Sequence, residues 1–492
     1  MPSQKHITII GGGLGGLVCA LVLSKEGFKV SVVEKQKQCG GNLQSFTKNG
    51  NVFDTGMHYA GSLDEGQSLN TYFSYLGIMP KLKLKRMDES AFDIIRFQNK
   101  EYPFAMSLQL FIDRLLEFFP NEKVGLIKYG KYLQDFWNGF KMLSFNKSSS
   151  SESTSQEISL ATLLNSITKD ETLKQVLAGN HFLYAGHPET TPAYIHAIIQ
   201  YSFIQSAWKF TDSSNQLAEL LTEAIKQNGG EIHTQSEVLV MNVKDSKVIS
   251  IILKNGEEIT SDAFISAIHP SLTMKMIDEG SIRKNYRNRL LDLQNTISSF
   301  SVYLIPKKNT FPYLNHNLYI HKGDDIWKDL NISPNPLPSS CMLYTPYNSG
   351  SDNYSSSIKI MSYMDINRFS DWNDTHVGKR GDEYEELKHR ISEHLIQMAC
   401  EKYPQLKDNI DFSFASTPLT WRDYTGTPEG AMYGVERNMN ASYISSKTKL
   451  ENLFLTGQNI KLHGALGVTL SAFLTASEFI GFDYLLNKVK HG

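Results

Sequence analysis

A glycine-rich turn close to residue 1 constrains this chain more than any other feature. Before and after it come an apolar run, a helical pattern and a second run rich in β-branched residues, at 6–10 (HITII), 14–26 and 29–34 (KVSVVE). The turn itself places Gly11, Gly13 and Gly16 at the glycine positions of a G-x-G-x-x-G pattern. This succession predicts a βαβ unit of the kind that binds a dinucleotide.

Each of these glycines has a separate expected role. Gly11 permits the tight turn, Gly13 lets the backbone approach a pyrophosphate, and Gly16 lets helix and strand pack closely. The pyrophosphate then lies at the helix N-terminus, where free N–H groups and the helix dipole favour anions. We include the neighbouring Leu14 and Gly15 among the expected binding residues.

An acidic residue completes the pattern. Glu34 ends the second strand, where its carboxylate can accept hydrogen bonds from ribose hydroxyls, and Lys35 follows it. The negative charge repels a 2′-phosphate, so the site is not expected to hold NADP. The alternative is a glycine-rich turn beside a solvated glutamate, which the ordered succession of strand, glycines, helix, strand and acid disfavours.

Two further segments extend this pattern beyond a lone glycine motif. CGGNLQSF at 39–46 carries a second glycine pair, and NLFLTGQNI at 452–460 leads through HGALGV at 463–468 into a helical pattern. Both resemble segments of the flavin-dependent amine oxidases and carotenoid desaturases, although the C-terminal one also suits an ordinary core strand and helix. The resemblance implies FAD as the cofactor. It implies contacts from Gly40, Gly41, Asn42, Gly457, Gln458, Asn459, Gly467 and Val468.

A closer resemblance lies in VFDTGMHYAG at 52–61, TPLTWRDYTGTPEGAMYG at 417–434 and FLTGQNIKLHGALG at 454–467. These segments are similar to the retinol saturase (all-trans-retinol 13,14-reductase) branch of the carotenoid desaturase and isomerase family. The resemblance implies redox chemistry on a carbon–carbon double bond of a hydrophobic isoprenoid or polyene. It also implies that Val238 lies against the FAD adenine.

Two departures from the family pattern stand out. A Pro-x-Gly-Gly element common in the family is replaced here by 211–214 (TDSS), so the loop at the substrate mouth is expected to differ. Asn459 stands where the family usually has Asp; it can hydrogen-bond a ribityl hydroxyl but carries no charge. FAD binding is expected to survive both changes, with altered redox tuning.

Three residues are candidates for catalysis: His58, Tyr59 and His463. In the resembling family their segments flank the flavin ring. A histidine that titrates near neutrality can protonate a substrate carbon, and the expected donor is water or a side chain such as His58 or Tyr59. The alternative is a structural role, which is common for histidines in glycine-rich loops.

Two apolar stretches leave alternatives open. Residues 181–208 can line a tunnel for a polyene or fatty chain, or form ordinary core. SLQLFIDRLLEFF at 107–119 can dock on a lipid surface or pack inside the protein.

The length of 492 residues, of which 41% are hydrophobic, suits two domains. We expect an α/β fold of the doubly wound, Rossmann-like type, with an inserted α+β substrate domain. The FAD-binding domain is predicted from 1–70, 211–295 and 411–492, and the substrate domain from 71–210 and 296–410. A low-complexity stretch at 145–157 predicts an exposed loop.

Three further patterns predict elements outside the βαβ unit. Apolar residues at helical spacing from about 70 to 210 predict a helical insertion, and an apolar run predicts a helix from about 466 to 485. Asn255-Gly256, between alternating apolar runs, predicts a hairpin.

Composition excludes several other classes. A net charge of −2 argues against nucleic acid as a partner, and four cysteines without ligand spacing predict neither a disulfide framework nor a metal site. The glycines in the N-terminal apolar run disfavour a signal peptide. We expect a cytoplasmic protein in a reducing compartment, either soluble or peripheral at a membrane surface.

The function expected from these features is double-bond reduction. No second G-x-G-x-x-G is present, so electrons are expected from a transient donor or a separate redox partner. Desaturation and cis–trans isomerisation are the nearest alternatives. Amine oxidation and non-catalytic lipid binding are the more distant ones.

Overall fold

A computed structural model describes residues 4–143, 158–330, 337–350, 353–439 and 444–491. The predicted low-complexity loop at 145–157 lies outside these residues. No helix of the described ranges is both long enough and apolar enough to cross a membrane.

The strands occur in this order along the described chain: β1 His6–Ile10, β2 Lys29–Val33, β3 Ser45–Lys48, β4 Asn51–Asp54, β5 Ala60–Gly61, β6 Leu84–Arg86, β7 Asp93–Phe97, β8 Lys100–Phe104, β9 Ala207–Phe210, β10 Glu231–His233, β11 Val238–Lys244, β12 Lys247–Leu253, β13 Glu258–Ile259, β14 Ala263–Ser266, β15 Ser298–Pro306, β16 Asn317–His321, β17 Ser340–Tyr344, β18 Ile358–Met364, β19 Ile410–Ser416 and β20 Leu453–Leu455.

The α-helices are α1 Leu14–Lys25, α2 Ser68–Tyr75, α3 Leu108–Leu116, α4 Lys123–Leu143, α5 Leu160–Ile167, α6 Glu171–Leu177, α7 Ala193–Gln205, α8 Asn215–Gln227, α9 Pro270–Lys275, α10 Lys284–Leu291, α11 Asp382–Cys400, α12 Pro418–Thr425, α13 Gly464–Ile480 and α14 Phe482–His491.

A parallel sheet of five strands, in the order β10-β2-β1-β14-β20, carries the predicted βαβ unit at its centre. β1 pairs with β2 on one side and with β14 on the other. α1 contacts both α8 and α13, and every residue of α1 from Leu14 to Ser24 is buried. The strands come from three separated stretches of the chain, because β14 and β20 join long after β1 and β2.

A second sheet of seven strands has the order β19-β15-β18-β17-β16-β7-β8. Its pairs are antiparallel except for β16 with β7, which run parallel. One face packs against the helices between residues 108 and 205, and the other face packs against α11. All nine residues of β15 are buried because both faces of the sheet are covered.

The predicted hairpin at Asn255–Gly256 is present, with β12 and β13 antiparallel on either side of it. Gly256 has a φ of +87°, a backbone conformation that favours glycine. β11, β12 and β13 form a separate three-stranded sheet. The next strand, β14, belongs to the parallel sheet instead.

Two predicted elements need correction. The stretch from 70 to 210 is not purely helical, because β7 and β8 form a hairpin at the edge of the seven-stranded sheet. The C-terminal helix predicted from 466 to 485 begins at Gly464 and ends at Ile480, and α14 follows. Gly481 separates the two helices with a φ of +91°, which a continuous helix does not allow. The domain boundaries drawn from the sequence stay a prediction.

Candidate functional site

A cavity of about 730 Å³ lies at the carboxyl ends of the parallel strands. Its lining comes from the turns after β1, β2, β14 and β20, from helix α7, and from strands β17 and β18. Ligands of open α/β sheets bind at this edge. The cavity therefore joins the nucleotide-binding part of the fold to the seven-stranded sheet.

The glycines of the first turn differ in what surrounds them. Gly11 has a φ of +100°, and a Cβ on Gly16 would overlap the carbonyl oxygen of Gly11. Gly16 does not line the cavity, in keeping with its predicted packing role. A Cβ on Gly13, by contrast, would meet no protein atom within 4 Å, because this position opens into the cavity. The backbone here leaves room for a ligand that approaches closely.

The N-terminus of α1 is suited to an anion. Gly13 precedes the helix, and no side chain in the described part of the protein caps its first turn. Leu14 and Gly15 line the cavity, and a Cβ on Gly15 would lie 2.7 Å from the Cα of Gly457. Two segments far apart in sequence thus meet through glycine backbones at the mouth of a helix, which fits a pyrophosphate.

Glu34 follows β2 and is only 7% exposed. Its Oε2 accepts a hydrogen bond from the backbone N–H of Gly12 at 2.7 Å, and Oε1 accepts one from Gln36 at 2.8 Å. Each carboxylate oxygen has a second lone pair, so both can still accept from ribose hydroxyls. Glu34 therefore orders the glycine turn as well as lining the cavity beside Lys35.

The remaining predicted cofactor residues lie on the same lining. Asn459 accepts a hydrogen bond at Oδ1 from the N–H of Val435 at 2.9 Å, which leaves its amide nitrogen as the group that can donate to a ligand. Helix α13 begins directly beside it, and His463 at its N-cap makes no side-chain capping bond. The others on this lining are Gly40, Gly41, Asn42, Val238, Gly457, Gln458, Gly467 and Val468.

The part of the cavity formed by α7, the turn before it, β17 and β18 is apolar apart from Ser202. α7 and the turn before it, with β17 and β18, contribute no Asp, Glu, Lys or Arg to the described lining. The stretch 181–208 divides between the two predicted roles, because some of its residues face the cavity and others face the core. The cavity residues from these elements are Phe182, Leu183, Ile198, Ile199, Ser202, Phe203, Met342 and Met361.

His58 lines the cavity and is 7% exposed. Its Nε2 lies 3.2 Å from Nζ of Lys359, and its ring is tilted by 33° against that of Tyr344, with centroids 4.7 Å apart. Nδ1 is buried and has no hydrogen-bond partner among the described residues. A polar atom left in this state calls for a ligand or water, because an unsatisfied buried group is costly.

The expectation that His58 titrates near neutrality is wrong. Burial holds the pKa of His58 well below its usual 6.5, and the nearby Lys359 and Lys209 lower this pKa further. His58 is therefore a neutral imidazole at physiological pH. It can donate a hydrogen bond or a proton only from an N–H that it already carries.

Tyr59 lies on the cavity wall in a buried polar network. Its hydroxyl contacts Oδ2 of Asp93 at 2.9 Å and the hydroxyl of Tyr319 at 2.8 Å. Burial and the nearby Asp93 raise the pKa of Tyr59 well above 10. Burial also raises the pKa of Asp93 to about 7. A catalytic role for Tyr59 stays a prediction.

His463 has the contacts of a positioning residue. Its Nε2 donates to the carbonyl oxygen of Leu183 at 3.1 Å, and its ring lies 4.3 Å from that of Tyr433. Burial lowers the pKa of His463 to about 4. Its catalytic role also stays a prediction.

Sequence reasoning missed Lys359 at this site. The residue is the second of β18, and its Nζ donates to the carbonyl oxygen of Thr55 at 2.6 Å as well as contacting His58. All seven residues of β18 are buried. A lysine inside the apolar run IKIMSYM is the signal that points to it, because buried lysines are rare without a partner.

Comparison with known proteins agrees with this geometry. The family model described as flavin containing amine oxidoreductase matches residues 14–479. An all-trans-retinol 13,14-reductase from Danio rerio is 24% identical over 97% of this chain and 86% of its own length. A Danio rerio protein named as an inactive all-trans-retinol 13,14-reductase is 23% identical over 100% of this chain and 89% of its own.

A solved structure of a putrescine oxidase variant has the same fold. It covers 97% of this chain and 99% of its own, with a TM-score of 0.65 and 12% identity. The predicted α/β fold class is confirmed. With the family model matched over nearly the whole chain, the protein belongs to the flavin containing amine oxidoreductase family.

Proposed function

We propose that this protein holds FAD and reduces a carbon–carbon double bond of a hydrophobic polyene or isoprenoid. The observation that carries the proposal is the composition of the cavity. Its nucleotide end has an open glycine turn at a helix N-terminus, and its other end is largely apolar, with the neutral imidazoles of His58 and His463 on the lining.

The chain's own groups fit FAD rather than a smaller nucleotide. The turn at Gly13 and the N-terminus of α1 receive the pyrophosphate, and Glu34 receives the adenosine ribose. Val238 supports the adenine. Asn459 and the N-terminus of α13 lie where a ribityl chain and the polar edge of an isoalloxazine ring need donors. When bound, FAD supplies two-electron hydride chemistry.

The apolar end favours an uncharged substrate. An amine substrate binds as a cation or yields an ammonium product. The lining from α7, β17 and β18 offers no carboxylate to pair with such a charge. A polyene needs only apolar contacts and the exclusion of water. The neutral imidazole of His58, which lines this cavity, then donates a proton to the carbon next to the one that receives hydride.

The opposite direction, desaturation, uses the same cavity with His58 taking a proton. Non-catalytic lipid binding is a second candidate, which the inactive relative favours, because a similar chain carries that description. Reducing equivalents come from a transient donor or redox partner. Contact with a membrane surface stays a prediction; α3, which it concerned, buries Phe111, Ile112 and Leu115 in the core.

The first experiment identifies the cofactor. The protein is purified without added flavin and denatured, and the released ligand is separated from it. FAD at one equivalent is expected. FMN or a nicotinamide nucleotide at one equivalent contradicts the assignment.

The second experiment determines the reaction. Holoenzyme is photoreduced without oxygen and mixed with a conjugated polyene alcohol, and the absorption spectra of flavin and polyene are followed together. Reduction re-oxidises the flavin and shortens the chromophore by one double bond. Oxidised holoenzyme mixed anaerobically with the same polyene tests the opposite direction, because a longer chromophore together with flavin reduction indicates desaturation. In either mixture, an unchanged double-bond count with altered band shape indicates isomerisation. A polyene that binds while flavin and chromophore stay unchanged indicates a carrier.

A further inference from the structure

Lys359 is placed where it can act on the reaction without touching the substrate. It does not line the cavity, yet its Nζ lies 3.2 Å from Nε2 of His58, which does. The same Nζ donates to the carbonyl oxygen of Thr55 at 2.6 Å. These contacts fix the amine behind the imidazole, on the side away from its unpartnered nitrogen.

The contact with Lys359 decides which nitrogen of His58 carries the hydrogen. An ammonium group has donors and no lone pair, so Nε2 of His58 must accept from it. The hydrogen of the neutral ring then resides at Nδ1. This is the buried atom that lacks a partner in the described structure, on a side chain that lines the cavity.

Other groups around the amine favour its charged form. Asp54 raises the pKa of Lys359, although burial lowers it more, to about 7. The rings of Tyr303 and Trp421 lie 5.3 and 5.8 Å from Nζ, within the range of a cation–π contact. The charged and titratable groups that face the pair from the surrounding elements are Asp54 on β4, Lys209 on β9, Tyr303 on β15 and Tyr344 on β17.

We infer that Lys359 is the positioning residue and proton reservoir behind His58, and that it acts through the imidazole ring. The inference rests on the proposed double-bond reduction, in which reduced flavin is the two-electron donor. As hydride adds to one alkene carbon, the electron pair left on its neighbour takes the proton from Nδ1. The Nδ1–H bond breaks and a C–H bond forms.

In the same step an N–H bond of Lys359 breaks and its proton binds Nε2, so the imidazole stays neutral but becomes the Nε2–H tautomer. Lys359 is left as a neutral amine. After the product leaves, water protonates Nδ1 and the Nε2 proton returns to Lys359, which restores both groups. The double bond has then gained one hydride and one proton, and charge is conserved.

The test reads the tautomer of His58 directly. FAD-loaded, full-length protein is labelled with ¹⁵N-histidine, and the His58 signals are identified by their loss in His58→Phe. Neutral imidazole with hydrogen at Nδ1 is expected at pH 6, where Lys359 is an ammonium group. A wild-type ring with hydrogen at Nε2 overturns the inference without any further variant.

Three variants separate the effect of the Lys359 hydrogen bond on the tautomer from the electrostatic effect of buried cations near His58. Lys359→Met should let the Nε2–H tautomer appear and raise the pKa of His58, because both the donor and the nearer cation are gone. Lys359→Arg should restore the Nδ1–H tautomer. Lys209→Met is the matched control: it removes a second buried cation that acts on His58 but donates to Leu314 and Thr345 instead. Its tautomer should match wild type, and an unchanged tautomer in Lys359→Met also overturns the inference.

The pH dependence of polyene reduction is a second measurement. Wild-type turnover should fall as pH rises through about 7, where Lys359 loses its proton. Lys359→Met should turn over about 10- to 100-fold more slowly and lose this dependence. If the His58 tautomer in wild type and variants is as expected but no polyene is reduced, the proposed function fails, while the hydrogen bond from Lys359 to His58 is supported. If polyene is reduced while Lys359→Met leaves tautomer and pH profile unchanged, the inference fails alone.

Discussion

At the scale of single residues, a side chain added at Gly13 tests whether the pyrophosphate occupies the space beside it. Gly13 and Gly139 both have ordinary backbone angles, and a Cβ on either meets no protein atom within 4 Å. Only the space beside Gly13 belongs to the cavity. We expect Gly13→Val to purify without flavin, because its side chain occupies the volume of the pyrophosphate.

Flavin content by absorbance and folding by circular dichroism check this prediction together. Gly139→Val serves as the control and should retain wild-type flavin. A yellow, fully loaded Gly13→Val protein would place the pyrophosphate elsewhere.

His58 is the second residue whose role can be isolated. His58→Phe keeps the bulk and removes the proton, and we expect it to retain FAD and to slow turnover by about 10²- to 10⁴-fold. Flavin reduction by the donor should change little, since the proton is needed only at the substrate. Stopped-flow measurement of the two half-reactions checks this.

His58→Gln is the matched variant, because an amide can still contact Lys359 but cannot pass a proton through a ring. It should be as slow as His58→Phe. Near-normal turnover in both, with FAD intact, would make His58 a structural residue and water the proton source.

At the scale of elements, α8 begins with help from a distant strand. Oδ1 of Asp54, on β4, accepts from the N–H and the hydroxyl of Ser214 at 2.9 and 3.0 Å, and from the hydroxyl of Ser213 at 2.9 Å. The TDSS sequence that departs from the family pattern therefore supplies donors to a buried carboxylate. It ties β4, and with it the segment leading to His58, to the start of α8.

Asp54→Ala should lower the free energy of unfolding by about 2–3 kcal/mol, because it leaves the buried N–H of Ser214 without an acceptor and removes the shorter of the two hydrogen bonds of its hydroxyl. Denaturant titration of the FAD-loaded protein measures the loss. Asp54→Asn keeps the Oδ1 acceptor and should lose clearly less. Equal losses in the two variants would mean that the charge of Asp54, rather than these bonds, stabilises the start of α8.

At the scale of the whole molecule, buried neutral histidines set the response to acid. Burial lowers the pKa of one of them to about 3 and of four others to about 4; they are His196, and then His269, His316, His321 and His463. Below pH 6.5 the unfolded chain binds protons that the folded protein does not, so stability falls as pH falls toward 4. Four carboxyl groups act in the opposite direction: Asp93, with its pKa raised to about 7, and Asp54, Asp329 and Glu436, whose pKa values burial also raises. They stand against these five histidines and against His58 and His181, whose pKa values burial also lowers.

The free energy of unfolding should therefore decrease between pH 6.5 and 5. A single histidine with a pKa near 4 accounts for up to about 2 kcal/mol of that decrease. His321 bonds Gly179 and Ser340 away from the cavity, so His321→Gln should flatten the pH dependence by that amount without loss of FAD. Denaturant titrations at the two pH values measure it, and a parallel pH dependence in wild type and variant would contradict the assignment.

The nucleotide-binding half was predictable from sequence because its determinants are local. A turn that needs Gly11 at positive φ, a helix N-terminus at Gly13 and a strand ending at Glu34 all occur within 29 residues, from His6 to Glu34. The glycine positions, β-branched strands and acidic residue each restrict the backbone or its ligand directly. Their physical requirements can be read without knowing the rest of the fold.

Tertiary structure alone decided the chemistry at the other end of the cavity. His58 was found from sequence, but its protonation state was not. Burial lowers its pKa, and so does the charge of Lys359, which lies 301 residues away along the chain but contacts the ring. β7 and β8 were missed for a similar reason: their place in the sheet depends on β16, more than 200 residues later. The pKa of a side chain depends on which distant groups bury it, and the position of a strand depends on which distant strand pairs with it. Local sequence patterns do not show either.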